Sequence, residues 1–95
     1  MKILVFYRQK SDHARKVEEY LHDLVRMHDV KENNIKIVDP DTRSGSVDAS
    51  LYDILSYPGI VVTDEYGKYI QGWSGSLPLM DELMGYAYTA NPNAF

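Results

Sequence analysis

Three groupings of residues could carry chemistry in this chain of 95 residues. Ser11 and His13 stand two apart where an apolar run gives way to a polar turn. A serine beside a histidine pairs a nucleophile with a base, but the imidazole needs a third group to orient it. Nothing in the sequence supplies that group, so catalysis by this pair is not expected. His22 and His28 are six apart on one expected helix, whereas a metal-binding pair on a helix face is spaced at four. Asp39, Asp41 and Asp48 lie in the stretch DPDTRSGSVDAS and hint at a calcium loop. That pattern needs Asp or Asn at the fifth place, Gly at the sixth and Glu at the twelfth. Arg43, Ser44 and Ser50 stand there instead, so turns and a helix cap account for the acids. No metal and no cofactor is expected. The chain has no cysteine, which removes any thiolate nucleophile, disulfide or cysteine-based zinc site.

The elements that must position these residues follow from the apolar pattern. KILVFY, residues 2 to 7, is a continuous apolar run suited to a strand buried on both faces. Ala14, Val17, Leu21, Leu24, Val25 and His28 then recur at helical spacing, with Ser11 or Asp12 as the N-cap. IKIVD, residues 35 to 39, is a second strand. PDTRSGS reads as a loop, after which Val47, Leu51, Ile54 and Leu55 give a short helix. SYPGIVVTDEYGKYIQGW reads as a hairpin, with arms at 59 to 63 and 68 to 72 and a turn over residues 64 to 67. A last helix is expected from about Ser76, with Pro78 in its first turn and Leu79, Met80, Leu83, Met84 and Ala87 inward. Asn91-Pro92 should end it, leaving residues 91–95 as a flexible tail after one domain over 1–90.

Composition narrows the partners. An apolar fraction of 44% and a charged fraction of 25% are ordinary for a globular chain. A net charge of −4 argues against nucleic acid. No run approaches the roughly 20 apolar residues of a membrane span, so no membrane partner is expected. The first six residues lack a signal core, which makes a cytoplasmic location the expectation. There are eight tyrosines and one tryptophan, and Tyr57, Tyr66, Tyr69, Trp73, Tyr86 and Tyr88 crowd the second half. Some must be core, and such residues are also favoured at binding hot spots.

The order βαβαββα, with these residues, resembles the thioredoxin-like superfamily over roughly residues 2 to 88. The resemblance rests on ILVFYRQKSDHARKVEEYL, on SYPGIVV and on DEYGKYIQGWSG. It implies an α/β fold with a four-stranded mixed sheet and helices on both faces. It also implies that Pro58 is the family's cis-proline, and that Cys-x-x-Cys would stand where Ser11, Asp12, His13 and Ala14 are found. Thiol–disulfide exchange needs a thiolate, so the resemblance is to a redox-inactive member. What it leaves is a groove formed by Ser11, Asp12, His13, Ala14, Tyr57, Pro58, Gly59, Trp73, Ser74 and Gly75. A helix N-terminus is an anion site, and Arg8, Lys10, Arg15 and Lys16 should surround this one, with Asp12 opposing. The expected occupant is an extended peptide of a partner protein. The alternative is glutathione or another small anion, activated by the hydroxyl of Ser11 or Tyr7. The last hairpin strand should be a sheet edge, consistent with a monomer or a weak dimer.

Overall fold

The apolar run that opens the chain becomes the interior of the sheet. The computed structural model describes residues 1–90, and side chains to residue 86. The elements are β1 (Lys2–Phe6), α1 (Ala14–Met27), β2 (Ile35–Val38), α2 (Arg43–Leu51), β3 (Gly59–Thr63), β4 (Tyr69–Ser74) and α3 (Met80–Ala90). The expected tail over 91–95 lies outside the described residues, and so does the side chain of Ala87, for which an inward place was expected.

The sheet order is β2-β1-β3-β4. Strand β1 is parallel to β2, with Val5 opposite Ile37, and antiparallel to β3, with Val5 opposite Ile60. Strand β4 closes the hairpin and forms one edge. Alternation along β1 then sorts the core into two layers. Ile3, Val5 and Tyr7 pack with Ala14, Val17 and Leu24 of α1 and with Leu83 and Met84 of α3. Leu4 and Phe6 pack with Val38, Val61, Ala49 and Ile54 beneath α2. Full burial of side chains such as Phe6 and Ile3 contributes about 2 kcal/mol each.

Helix α2 differs from the expectation. It begins at Arg43, inside the segment read as a loop. The cause is capping chemistry that outweighs the poor helix propensity of Ser and Gly. The Thr42 hydroxyl donates to the Asp39 carbonyl at 2.8 Å and accepts from the Gly45 N–H at 3.0 Å. The Asp39 carboxylate accepts from the Asp41 N–H at 2.9 Å. The buried face is also not the expected one. Gly45 and Ala49 point inward, while Val47, Leu51 and Leu55 are exposed, Leu55 by 85%. The helix ends in a Schellman motif: Ile54 N–H donates to Ala49 C=O at 2.8 Å and Asp53 N–H to Ser50 C=O at 3.3 Å. That turn rolls Ile54 into the core and throws Leu55 outward.

Helix α3 starts at Met80, later than expected, and Leu79 is 78% exposed. The segment before it is held in a non-helical path, since the Pro78 carbonyl accepts the Tyr20 hydroxyl at 2.8 Å. Leu83 and Met84 are inward as expected.

Two predictions follow from local chemistry. A Cβ at Gly45 would lie 1.8 Å from the Asp39 carbonyl oxygen, so Gly45→Ala should destabilise the chain by about 3 kcal/mol in urea unfolding. In the hairpin turn, the Asp64 carboxylate accepts from the N–H groups of Tyr66 and Lys68 at 2.8 and 2.9 Å. The Lys68 N–H first, and then that of Tyr66, hold its pKa below the ordinary aspartate value despite opposing desolvation. A carboxyl with a depressed folded pKa stabilises the fold above its unfolded pKa, and this is lost as pH falls through the folded value. Asp64→Asn should therefore lower stability at neutral pH, converge with the parent chain in acid, and so flatten the acid limb of the stability–pH curve measured by urea unfolding.

Candidate functional site

The site is built where β1, having run out of apolar residues, turns into α1. The last sheet bond joins the Tyr7 N–H to the Val38 carbonyl at 3.3 Å. The chain then folds on itself. The Ser11 hydroxyl donates to the Arg8 carbonyl, the Arg8 N–H donates to His13 Nε2 at 3.4 Å, and the Ala14 N–H donates to the Ser11 carbonyl at 3.2 Å. The expected N-cap is therefore corrected. Neither Ser11 nor Asp12 caps α1; His13 holds that place, with no side-chain bond to the helix. Ser11 is occupied upstream, and Asp12 is exposed.

The ring of cations is also smaller than expected. The Arg8 Nε contacts both Asp41 carboxylate oxygens at 3.0 and 3.1 Å, and its guanidinium carbon lies 4.9 Å from the centre of the Tyr57 ring. Arg15 pairs with Glu19 at 3.5 Å, one helical turn away. Tyr7, beside His13 with ring centres 6.4 Å apart, has its pKa raised by burial and secondly by the Glu18 carboxylate. Its phenol stays protonated and supplies no tyrosinate. Among the described residues no cluster of three His, Asp or Glu could hold a metal ion.

The second wall is the segment 55–59. The Tyr57–Pro58 bond is cis. Ser74 Oγ accepts the N–H groups of Leu55 and Ser56, both at 2.9 Å, and the Gly75 N–H donates to the carbonyls of Ser56 and Pro58. Gly75 has φ +86°, and a Cβ there would press on Ser56. Ser74 and Gly75 thus clamp the proline segment, and Gly59 is buried at the start of β3. Trp73 goes elsewhere. Its indole N–H donates to Glu82 at 3.2 Å, its ring meets Tyr86 edge-on at 5.6 Å, and it packs in the α1–α3 layer, whereas Tyr57 packs in the α2 layer. The structure thus joins Arg8, at the start of the 11–14 turn, to Tyr57, joins Ser74 and Gly75 to the proline segment, and turns Trp73 to the opposite face.

No protein-family model matches the sequence, and no curated protein does. Solved structures do match. Thioredoxin 1 from the thermophilic eubacterium Thermosipho africanus TCF52B superposes with a TM-score of 0.66 at 13% identity, over 94% of this chain and 92% of that one. A thioredoxin-fold protein from Helicobacter pylori gives a TM-score of 0.69 at 18% identity, over 95% of this chain and 68% of that one. This is the thioredoxin fold. Within it the chain offers no thiol anywhere.

Sequence reasoning missed the role of Arg8 and Asp41 in holding the thioredoxin-fold turn. The two are 33 residues apart, and nothing in their spacing announces contact. Lysine has neither the planar face nor the fork of donors that Arg8 uses. Because exposed ion pairs and cation–π contacts are each worth up to about 1 kcal/mol, Arg8→Lys should cost little stability in urea. It should nonetheless move the Tyr57 ring resonances in an aromatic NMR spectrum. Unchanged resonances would show that Arg8 does not hold the ring.

Proposed function

We propose that this chain is a redox-inactive, thioredoxin-fold binding module that takes an extended segment of a partner protein beside Pro58. One observation carries the reading. The backbone N–H and C=O of Tyr57 have no hydrogen-bond partner among the described residues, although the residue is half-buried. The groups around them are taken: the N–H groups of Leu55 and Ser56 by Ser74, and the carbonyls of Ser56 and Pro58 by Gly75. A backbone donor and acceptor without partners in the chain are open to one from outside, and an extended peptide supplies both in a β-bridge. The absence of cysteine supports binding without redox turnover.

Glutathione is the second occupant that the sequence allowed. It is less favoured, because two of the four nearby cations are already paired within the chain and Tyr7 is buried. Titration of labelled protein with a pool of extended peptides, and separately with glutathione, distinguishes them by amide NMR. Peptides should shift Tyr57, Gly59 and the 72–76 segment, and methylating the peptide nitrogens should abolish the effect. Shifts confined to residues 11–16 with glutathione, and none at Tyr57 with peptides, would refute the peptide reading.

A further inference from the structure

On the α2 face of the sheet an open cleft of ≈ 480 Å³ separates the end of α2 from β4. Leu51, Ile54 and Gly72 give it apolar walls, and Tyr52 and Tyr69 stand in it as near-parallel rings, 22° apart in plane with centres 6.3 Å apart. The Tyr52 hydroxyl donates to the Gly67 carbonyl at 3.0 Å, which fixes that ring. Asp53 is the charged residue of the lining.

The carboxylate of Asp53 works against its local setting. It follows the C-cap Tyr52 with φ 56°, a place that Asn or Gly would fill equally well. The C-terminal end of a helix disfavours negative charge. Asp53 has no ion pair among the described residues to offset this. Asp29 takes the same conformation after α1, so the conformation alone carries nothing. What sets Asp53 apart is an apolar cleft with two tyrosine faces beside it.

The chain shows what such a combination holds. Arg8 lies over the Tyr57 ring and against the Asp41 carboxylate. The cleft presents the same two groups, tyrosine and aspartate, with no cation of this chain against them among the described residues. We infer that the cleft receives an arginine side chain from a partner protein. The guanidinium stacks on the tyrosine faces and meets Asp53, and its aliphatic stem lies along Leu51 and Ile54. Lysine lacks the flat face this geometry uses. The net charge of −4 favours encounter with a basic partner. This site does not depend on the Tyr57 reading, and different amides report on each.

The test is an NMR titration with the tetrapeptide acetyl-Gly-Gly-Arg-Gly-amide and its citrulline counterpart, a neutral shape match. The arginine peptide should shift the amides of Asp53, Gly67 and Gly72 and the rings of Tyr52 and Tyr69. Asp53→Asn tolerates the same backbone conformation, so the fold is kept, and it should weaken binding about ten-fold. Equal binding of the citrulline peptide, an unaffected Asp53→Asn variant, or no cleft shifts at about 10 mM peptide would overturn the inference.

Discussion

Burial of β1 on both faces is the constraint from which the rest follows. Ile3, Val5 and Phe6 are wholly inaccessible to water, and a strand with apolar side chains on both faces must be covered twice. Helices α1 and α3 cover one face and α2 the other. With β2 and β3 on its flanks, β1 also has no free backbone edge. Its C-terminal end is therefore a fixed point, and the turn into α1, the proline segment and the start of α2 are all arranged around it.

The layers were legible because they are written in periodicity. The continuous apolar run of β1 and the three-and-four spacing of α1 give those elements their type and their buried faces, and the turn at Gly67 marks the hairpin. What was not legible is written in contacts between distant residues. The first turn of helix α2 looks like a loop because Ser44, Gly45 and Ser46 are weak helix formers. It is a helix because Thr42 caps it and Gly45 fits against Asp39. Leu79 looks like a core residue at helical spacing, but Tyr20, far off in sequence, fixes Pro78 outside the helix. Ser11 looks like a cap by residue type, and only the path of the turn shows that its hydroxyl reaches back to Arg8.

The site was legible in location more than in wiring. Pro58 and the turn before α1 were marked by position along the chain, and Arg8, at the start of that turn, reaches the Tyr57 ring. The partition of Tyr57 and Trp73 to opposite faces depends on how β3 and β4 pair, with Ile60 opposite Trp73, and no single-strand pattern reports that. The absence of cysteine is the plainest fact in the sequence, and it turns attention from side-chain reactivity to the backbone of Tyr57, which has no hydrogen-bond partner among the described residues.

The Arg8 guanidinium touches two segments at once, the Tyr57 ring and the Asp41 carboxylate. Asp41 stands beside Thr42, which starts α2. One side chain thus couples the rim of the groove mechanically to the first turn of a helix in another layer. Any occupant that lifts the Tyr57 ring removes one of the two supports of that side chain, and its arrival is felt at the far end of α2 from the tyrosine cleft.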